Sequence, residues 1–562
     1  MYILGLGYVG HDSSAAILKD GEVLASATEE RFTRIKRDRS FPEKAINFCL
    51  DFTGISIKDV DVIAYYMEPD KFFRERVIHH LGRYYPKSVP LFEGNLARGL
   101  EIKNVEWEIR ERLKFLKEIY FCDHHMAHLA SSFFHSTFDD CVSISMDGLG
   151  EIASTVIATV DKDYSINVLN KINFPHSLGV LYTCVTHFLG FQATSDAGKV
   201  MGLASYGDPD VFIDKFRKIV TLKEDGTYEF DLEYFDYPFK RDTWISEKFI
   251  ETFGPRRLPD EPLNKDYEDV AAALQLRIEE AYFHMAEYAK RVSQKENLCL
   301  SGGVALNSVA NGKLVEKEWF NDVFIPPAAG DDGASIGAAL YYNFYIAKNK
   351  KRFPLQSPYL GSEYSNTKVE RVIKKFGVKY HKSDDVCKET ARLVADNNIV
   401  GWFQGRMEIG PRALGNRSII ANPALKEVKE ILNARVKFRE PFRPFAPSIL
   451  REHVKEWFTH DHLSPYMLLV FDIREEKRKI VPGVTHVDGS GRLQTITEDM
   501  NPRYYQLISE FQKISGIPMI VNTSFNVKGE PIIESPADAV RCFLGSGIDY
   551  LVMNEFVVEK VQ

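Results

Sequence analysis

Two histidines four residues apart, His124 and His128 in the run DHHMAH, are the side chains of this sequence with the clearest spacing for chemistry. If residues 124–128 are helical, positions i and i+4 stack on one face and aim both imidazoles at one point. Carboxylates that can join them stand in glycine-rich turns further along, Asp147 in SMDGLGE and Asp331 in GDDGASIGAA. Two imidazoles with carboxylates suit a borderline metal such as iron or zinc, and not magnesium alone. The zinc-protease pattern H-E-x-x-H is excluded in its usual form, because His125 stands where the general-base glutamate belongs. Ordinary surface or core histidines produce the same spacing, so the pair gains meaning only from what surrounds it.

The elements that must carry these residues read as alternating strands and helices. Residues 2–6 and 14–18 are apolar runs, and Asp20-Gly21 is a strong hairpin signal before Val23–Ala27. Helical spacing of apolar positions covers 43–53, 99–117 and 266–293. Residues 143–146 and 154–159 form a strand pair around the DGLGE turn, and a short strand at 297–300 runs into SGGVALNS. A helix at 385–397 and a strand at 398–403 follow. The expected class is α/β. The stretch 348–366 (KNKKRFPLQSPYLGSEYSN) has linker composition, which places a domain boundary near residue 355 and divides the chain into 1–354 and 355–562.

Gly5-Leu6-Gly7-Tyr8-Val9-Gly10 matches G-x-G-x-x-G after a strand, but the dinucleotide fingerprint requires a helix next, and here a hairpin follows. A glycine-rich hairpin opening a domain suits the actin, sugar-kinase and heat-shock ATPase class instead. Three later turns agree with that class: 147–151 between strands, Ser301-Gly302-Gly303 after a strand, and 330–334 before the small-residue helix SIGAAL, expected to pack over a ligand. Gly198-Lys199 is not a P-loop, because Val200 replaces the required Ser or Thr.

The C-terminal part is dense in cations held in Gly/Pro segments. Arg406, Arg412 and Arg417 crowd GRMEIGPRALGNRS, and Lys437, Arg439 and Arg443 crowd KFREPFRPFAP. HVDGSGRLQT adds His486, Asp488, Arg492 and Gln494, and VNTSFNVKGEPI adds Asn522, Thr523, Ser524 and Asn526. Guanidinium groups on such segments make planar bidentate contacts to phosphate or carboxylate. Structural salt bridges account for part of this charge, but not for its concentration in loops.

Composition narrows the setting. With 562 residues, two to four domains are expected. A net charge of −8 and pI near 6.1 argue against bulk nucleic-acid binding, so no nucleic-acid partner is expected. Seven scattered cysteines without C-x-x-C fit reduced thiols. No signal peptide and no bilayer-spanning apolar run are seen, so a soluble cytoplasmic protein without membrane association is expected. Oligomeric state, a homodimer included, is left open.

Taken together, these motifs make the chain resemble the O-carbamoyltransferases of the nodulation-protein-U, cephamycin and tobramycin type over nearly its whole length. The marks are GHDSSAAIL, ATEERFTRIKRD, DHHMAHLASSFF, SMDGLGE, GKVMGLASYG, LSGGVALN, GDDGASIGAAL, GRMEIGPRALGNRS, RPFAPSIL and VNTSFNVKGEPI. The resemblance implies an N-terminal actin/sugar-kinase-type ATPase fold, TsaD-like, followed by a YrdC-like α/β domain. It implies that carbamoyl phosphate and ATP (as Mg-ATP) give carbamoyl adenylate in the second domain, and that the first passes the carbamoyl group to a hydroxyl of a small-molecule or saccharide acceptor, as in natural-product tailoring. It places a metal, expected to be iron, on His124, His128, Asp147 and Asp331, the last favoured over Asp332. Lys437, Arg443, Arg412, Arg417, Asn522 and Ser524 fall where the family binds phosphates and the carbamoyl group. Lys199, Gly302, Gly303 and Asn307 fall on the nucleotide side of the first domain, and His11 is the candidate general base for the acceptor hydroxyl. Two alternatives stand beside this expectation: a threonylcarbamoyl-type tRNA-modifying enzyme, and a non-catalytic nucleotide-binding scaffold. A hydrogenase-maturation carbamoyl-adenylating protein would carry paired C-x-x-C segments, which are absent from the sequence.

Overall fold

The computed structural model describes residues 1–560, which form two compact units. The first holds residues 1–24, 39–310 and 317–355; the second holds 25–38, 311–316 and, from 356 on, the rest of the described residues. The chain therefore enters the second unit twice, through short segments, before the long stretch that builds most of it.

The first unit contains two five-stranded sheets built on one plan. In the first sheet, Tyr2–Gly7 pairs antiparallel with Ser14–Lys19 and parallel with Val62–Tyr65, which pairs parallel with Glu118–Phe121. Glu22–Thr28 completes the hairpin edge, turning at Asp20-Gly21, where both residues have positive φ. In the second sheet, Cys141–Met146 pairs antiparallel with Ala153–Val160 and parallel with Asn297–Ser301, which pairs parallel with Asp322–Phe324. Ile166–Asn173 closes its antiparallel edge. Each sheet thus runs three antiparallel strands, then two parallel strands reached by helical crossovers, Glu43–Thr53 in the first and Lys265–Ser293 in the second. This duplicated plan is that of the actin and sugar-kinase ATPase class, as the opening hairpin suggested.

After its last strand each sheet sends a helix back: His124–His135 from the first and Ala334–Tyr341 from the second. These two helices pack against each other at backbone distance. A Cβ on Gly337 would lie 1.9 Å from the Ala127 carbonyl oxygen, and a Cβ on Gly5 equally close to that of Ser335. The small residues of SIGAAL therefore serve helix-on-helix and helix-on-strand packing.

The helical insert after Val62–Tyr65 starts earlier than its apolar spacing suggested, with Val89–Lys103 and Val105–Leu113 meeting at Asn104. The remaining elements lie close to expectation, Val386–Ala395 and Val400–Phe403 among them.

The second unit is organised on a nine-stranded mixed sheet. Its centre is Val400–Phe403, Arg417–Ala421, Met519–Ser524 and Ala446–Leu450 in spatial order, with every residue of the first two buried. Such runs without alternation are what a sheet covered on both faces requires. Helices Val386–Ala395 and Pro502–Ser515 pack together. Among the described residues no helix is long and apolar enough to cross a membrane.

Candidate metal and anion sites

Asp123 caps the helix His124–His135 by accepting the Met126 N–H at 3.0 Å, which fixes where the helix begins. His124 and His128 therefore fall one turn apart on a buried face, both fully inaccessible, with Nε2 atoms 3.1 Å apart. Asp147 leaves the end of strand Cys141–Met146, and Asp331 stands where the chain turns into Ala334–Tyr341. One donor atom from each of the four residues lies within 4.8 Å of all the others. His124 Nε2 is 3.4 Å from Asp147 Oδ2 and 3.6 Å from Asp331 Oδ1, and His128 Nε2 is 3.4 Å from the same Asp331 oxygen. Asp331, and not Asp332, belongs to the group.

The electrostatics of this cluster fit a cation. Burial alone would depress the His124 imidazole, but its bond to Asp147 and the nearby charges of Asp331, Asp147 and Glu151 hold it up to about 9. Burial would raise Asp147, yet His124, His128 and the Gly303 N–H hold it well below the usual carboxylate range. Asp331 Oδ1 is buried without a hydrogen-bond partner. Two imidazole nitrogens and two carboxylates converging in a buried pocket match a borderline divalent metal such as iron or zinc. His125 plays no part: its Nδ1 meets Ser145 Oγ at 2.8 Å and its Nε2 the Ala153 carbonyl at 2.9 Å.

Two sequence-derived residues stand around the cluster. His11 is half-exposed at its rim, with Nδ1 2.8 Å from Asp12 Oδ2 and 3.8 Å from Asp331 Oδ2. The Gly303 N–H donates to Asp147 Oδ1 at 2.7 Å, so the SGG turn supports a ligand-bearing carboxylate directly. Gly302 has φ +85°, and a Cβ there would meet the Met146 carbonyl oxygen at 2.2 Å. Gly302→Ala is therefore expected to displace the turn that holds Asp147, costing about 1–3 kcal/mol. Thermal denaturation, together with metal content, measures that effect; an unshifted midpoint with full metal would contradict it.

Two further residues expected on the nucleotide side make local contacts. Asn307 accepts the Ala310 N–H at 3.1 Å and exchanges hydrogen bonds with the Gln275 amide at 3.0 and 3.1 Å, so it caps the next helix. Lys199 pairs with Asp196 at 2.9 Å.

In the second unit the structure gathers Arg412, Arg439, Arg443 and Arg492 from two loops and one strand. Burial lowers the Arg412 guanidinium to about 10, with Arg443 adding to the effect; it lowers Arg439 to about 9, with Arg443 adding and Glu440, 3.9 Å from Arg443, opposing. Arg492 is pushed far down by burial and by Arg412, Arg439 and Arg443 together. The Nε atoms of Arg412 and Arg492 are buried without partners. Burial also lowers His486, to about 4, although Asp488 opposes the shift. Like charges held together out of water are costly unless an anion completes them. Arg439 and Arg492 were legible as part of the basic loops, but nothing in their spacing gave them this role.

Lys437 sits beside the cluster, buried, with its ammonium donating to the Ser524 carbonyl, to the Asn526 carbonyl at 3.0 Å and to Asn526 Oδ1 at 2.9 Å. Burial and Arg439 hold it well below its ordinary value. Ser524 Oγ donates to Asn526 Oδ1 at 2.7 Å. Asn522 donates its amide to the Ala413 carbonyl, Ser448 and Gln494, which leaves its Oδ1 buried and unpartnered. Arg417 is not brought to the cluster. It lies fully buried 3.8 Å over the Phe403 ring and donates to the carbonyls of Gln404, Gly405, Asn416 and Ser362.

Known proteins resemble the chain along this same division. Residues 2–340 match the family profile described as Carbamoyltransferase N-terminus, and residues 391–560 the one described as Carbamoyltransferase C-terminus. An uncharacterised protein of Synechocystis sp. is 40% identical over 600 residues, covering 100% of this chain and 97% of its own length. Nodulation protein NolNO of Sinorhizobium fredii is 36% identical over 556 residues, covering 98% of this chain and 79% of that protein. Nodulation protein U of the same organism is 38% identical over 244 residues, 43% of this chain and 42% of its own. With both profiles laid end to end along it, the chain belongs to the carbamoyltransferase family and is an enzyme of carbamoyl transfer.

Proposed function

We propose that the protein is an ATP-dependent O-carbamoyltransferase in which the arginine cluster of the second unit, a YrdC-like domain, forms the donor site. Carbamoyl phosphate and ATP bind there. Water releases phosphate from carbamoyl phosphate, and an oxygen of the resulting carbamate attacks the α-phosphorus of ATP, expelling pyrophosphate and leaving carbamoyl adenylate. The observation that carries this reading is the concentration of Arg412, Arg439, Arg443 and Arg492 at one partly buried place, where Arg443 adds to the lowering of Arg412 and Arg439 and all three add to that of Arg492. Such a preorganised set stabilises charge as it develops on leaving phosphate and does so without rearranging. The unpartnered Asn522 Oδ1 is an acceptor suited to the carbamoyl N–H.

In the first unit His124, His128, Asp147 and Asp331 would hold the metal, read as iron from the family and as iron or zinc from the donor set. A metal bound there supplies Lewis acidity toward a carbonyl or phosphoryl oxygen. His11, oriented through Asp12, takes the proton from the acceptor hydroxyl as its oxygen attacks the carbamoyl carbon, and AMP leaves. The acceptor is a hydroxylated small molecule or saccharide. Incubation with ATP, carbamoyl phosphate and a panel of aminoglycosides, macrolides and oligosaccharides tests this, through acceptor-dependent AMP and the mass of the O-carbamate. Carbamoylation of tRNA and of no small molecule would favour the rival reading.

His11→Ala is expected to slow transfer about 10²–10⁴-fold, the range for a general base. Metal content and pyrophosphate release should stay at wild-type levels. Loss of metal in this variant would make His11 a ligand and remove it as the base.

A further inference from the structure

The segment 25–38 (ASATEERFTRIKRD) lies far from the donor-site residues in sequence, yet it is part of the second unit. None of its side chains has a role in the chemistry proposed above. Two of its arginines end on the two loops from which that chemistry depends. Arg31, only 6% exposed, donates from Nη2 to the Gly410 carbonyl at 2.9 Å. Gly410 opens the turn GPRALGN that presents Arg412. Arg34 donates from Nη1 to the Ile532 carbonyl at 2.7 Å and from Nη2 to the Pro531 carbonyl at 2.8 Å. Those carbonyls follow Glu530, whose own carbonyl accepts the Asn526 amide at 2.7 Å. Asn526 in turn receives Lys437 and Ser524.

The segment is stiff enough to act as a support. Its single helical turn, Glu30–Thr33, ends at Arg34 with φ 65°, a conformation that favours glycine. Thr33 Oγ1 donates to Asp38 Oδ2 at 2.7 Å, and Glu30 joins Arg31 at 3.2 Å to the Arg37 N–H at 2.8 Å. On its inner side the Arg412 turn has a matching strut: Glu408 Oε1 accepts the N–H groups of Leu414, Asn416 and Arg417 at 2.6, 3.3 and 3.2 Å. The turn is therefore held from within by Glu408 and from outside by Arg31. A guanidinium bonded to a turn carbonyl is stronger than a neutral hydrogen bond, and its removal leaves a buried acceptor unpaired.

We propose that Arg31 and Arg34 are positioning residues of the donor site, each fixing one of the loops that present Arg412 and the Ser524–Asn526 corner. This rests on the donor-site reading above. The full chain carrying Arg31→Gln or Arg34→Gln tests it by two readouts. Carbamoyl phosphate-dependent exchange of pyrophosphate into ATP should show KM for carbamoyl phosphate raised about tenfold in each variant, the scale of one charge-assisted hydrogen bond. Transfer from supplied carbamoyl adenylate should keep its wild-type rate. Amide hydrogen exchange should rise at 410–417 in the first variant and at 529–533 in the second, and not elsewhere in the unit. Arg31→Lys, which retains a charged donor to the single Gly410 carbonyl, should recover most of the loss.

Unchanged KM with unchanged protection would overturn the proposal. So would protection lost throughout the unit in the Gln and Lys variants alike, which marks a merely structural role. If the wild-type protein shows no carbamoyl phosphate-dependent exchange, it is the donor-site reading that fails; the local protection changes still report whether the arginines fix their loops.

Discussion

Replacing Arg412 by methionine is expected to raise the thermal midpoint while cutting pyrophosphate release about 10²–10³-fold. The two effects share one cause. Arg412 stands near the charges of Arg443 and Arg492, and its buried Nε has no partner. These like charges repel in a site that screens them less than bulk water does, with Glu440 beside Arg443 offsetting part of the repulsion. Methionine keeps much of the side-chain volume and removes one of the repelling charges. Substitution of buried charges by apolar groups is often stabilising by about 1–4 kcal/mol, and about 1 kcal/mol corresponds to roughly 2–4 °C in a unit of this size. The same charge is what a triphosphate and a carbamoyl phosphate need. Scanning calorimetry and a pyrophosphate assay on one preparation check both halves. A lower midpoint would mean that Arg412 is compensated by neighbours and is not held in reserve for an anion.

His124→Ala and His128→Ala are expected to remove the metal and abolish transfer, with pyrophosphate release intact. Each supplies a nitrogen to a group that has only four donor residues. Loss of an outer-shell partner alone costs metal affinity about 10–100-fold, so loss of a ligand should cost at least about a hundredfold. In His124→Ala, Asp147 also loses the hydrogen bond that keeps it ionised, so the remaining carboxylates repel until an ion or protons neutralise them. Elemental analysis of purified protein reads the metal directly, independent of activity. Wild-type metal content in both variants would dissolve the assignment of the cluster.

The first unit was more legible in the sequence than the second, for physical reasons. Its opening hairpin is written in local chemistry, Asp20-Gly21 between alternating runs, and a two-residue turn dictates its own pairing. The i,i+4 relation of His124 and His128 likewise needs only a helix. Asp147 and Asp331 were visible because turns after strands converge at one end of a sheet in this class of fold. What spacing could not reveal is where side chains end. Arg417 reads like its neighbours in GRMEIGPRALGNRS, but it lies on a strand whose every residue is buried, and its guanidinium turns to backbone carbonyls. Asn307 was expected on the nucleotide side, and spacing did not show that it also accepts the Ala310 N–H of the helix that starts behind it. Arg492 joins Arg412 only through sheet pairing over a long stretch of chain. The membership of residues 25–38 in the second unit depends on contacts hundreds of residues away, which no local pattern encodes.

In the proposed reaction the carbamoyl group passes through an adenylate. This is tested most directly by incubating the metal-loaded protein with carbamoyl phosphate and ATP labelled at the α-phosphate, without acceptor. Pyrophosphate and a labelled carbamoyl adenylate are expected in equal amounts, both strictly dependent on carbamoyl phosphate. Release of ADP in place of pyrophosphate, or label that remains in ATP whether or not carbamoyl phosphate is present, would contradict it.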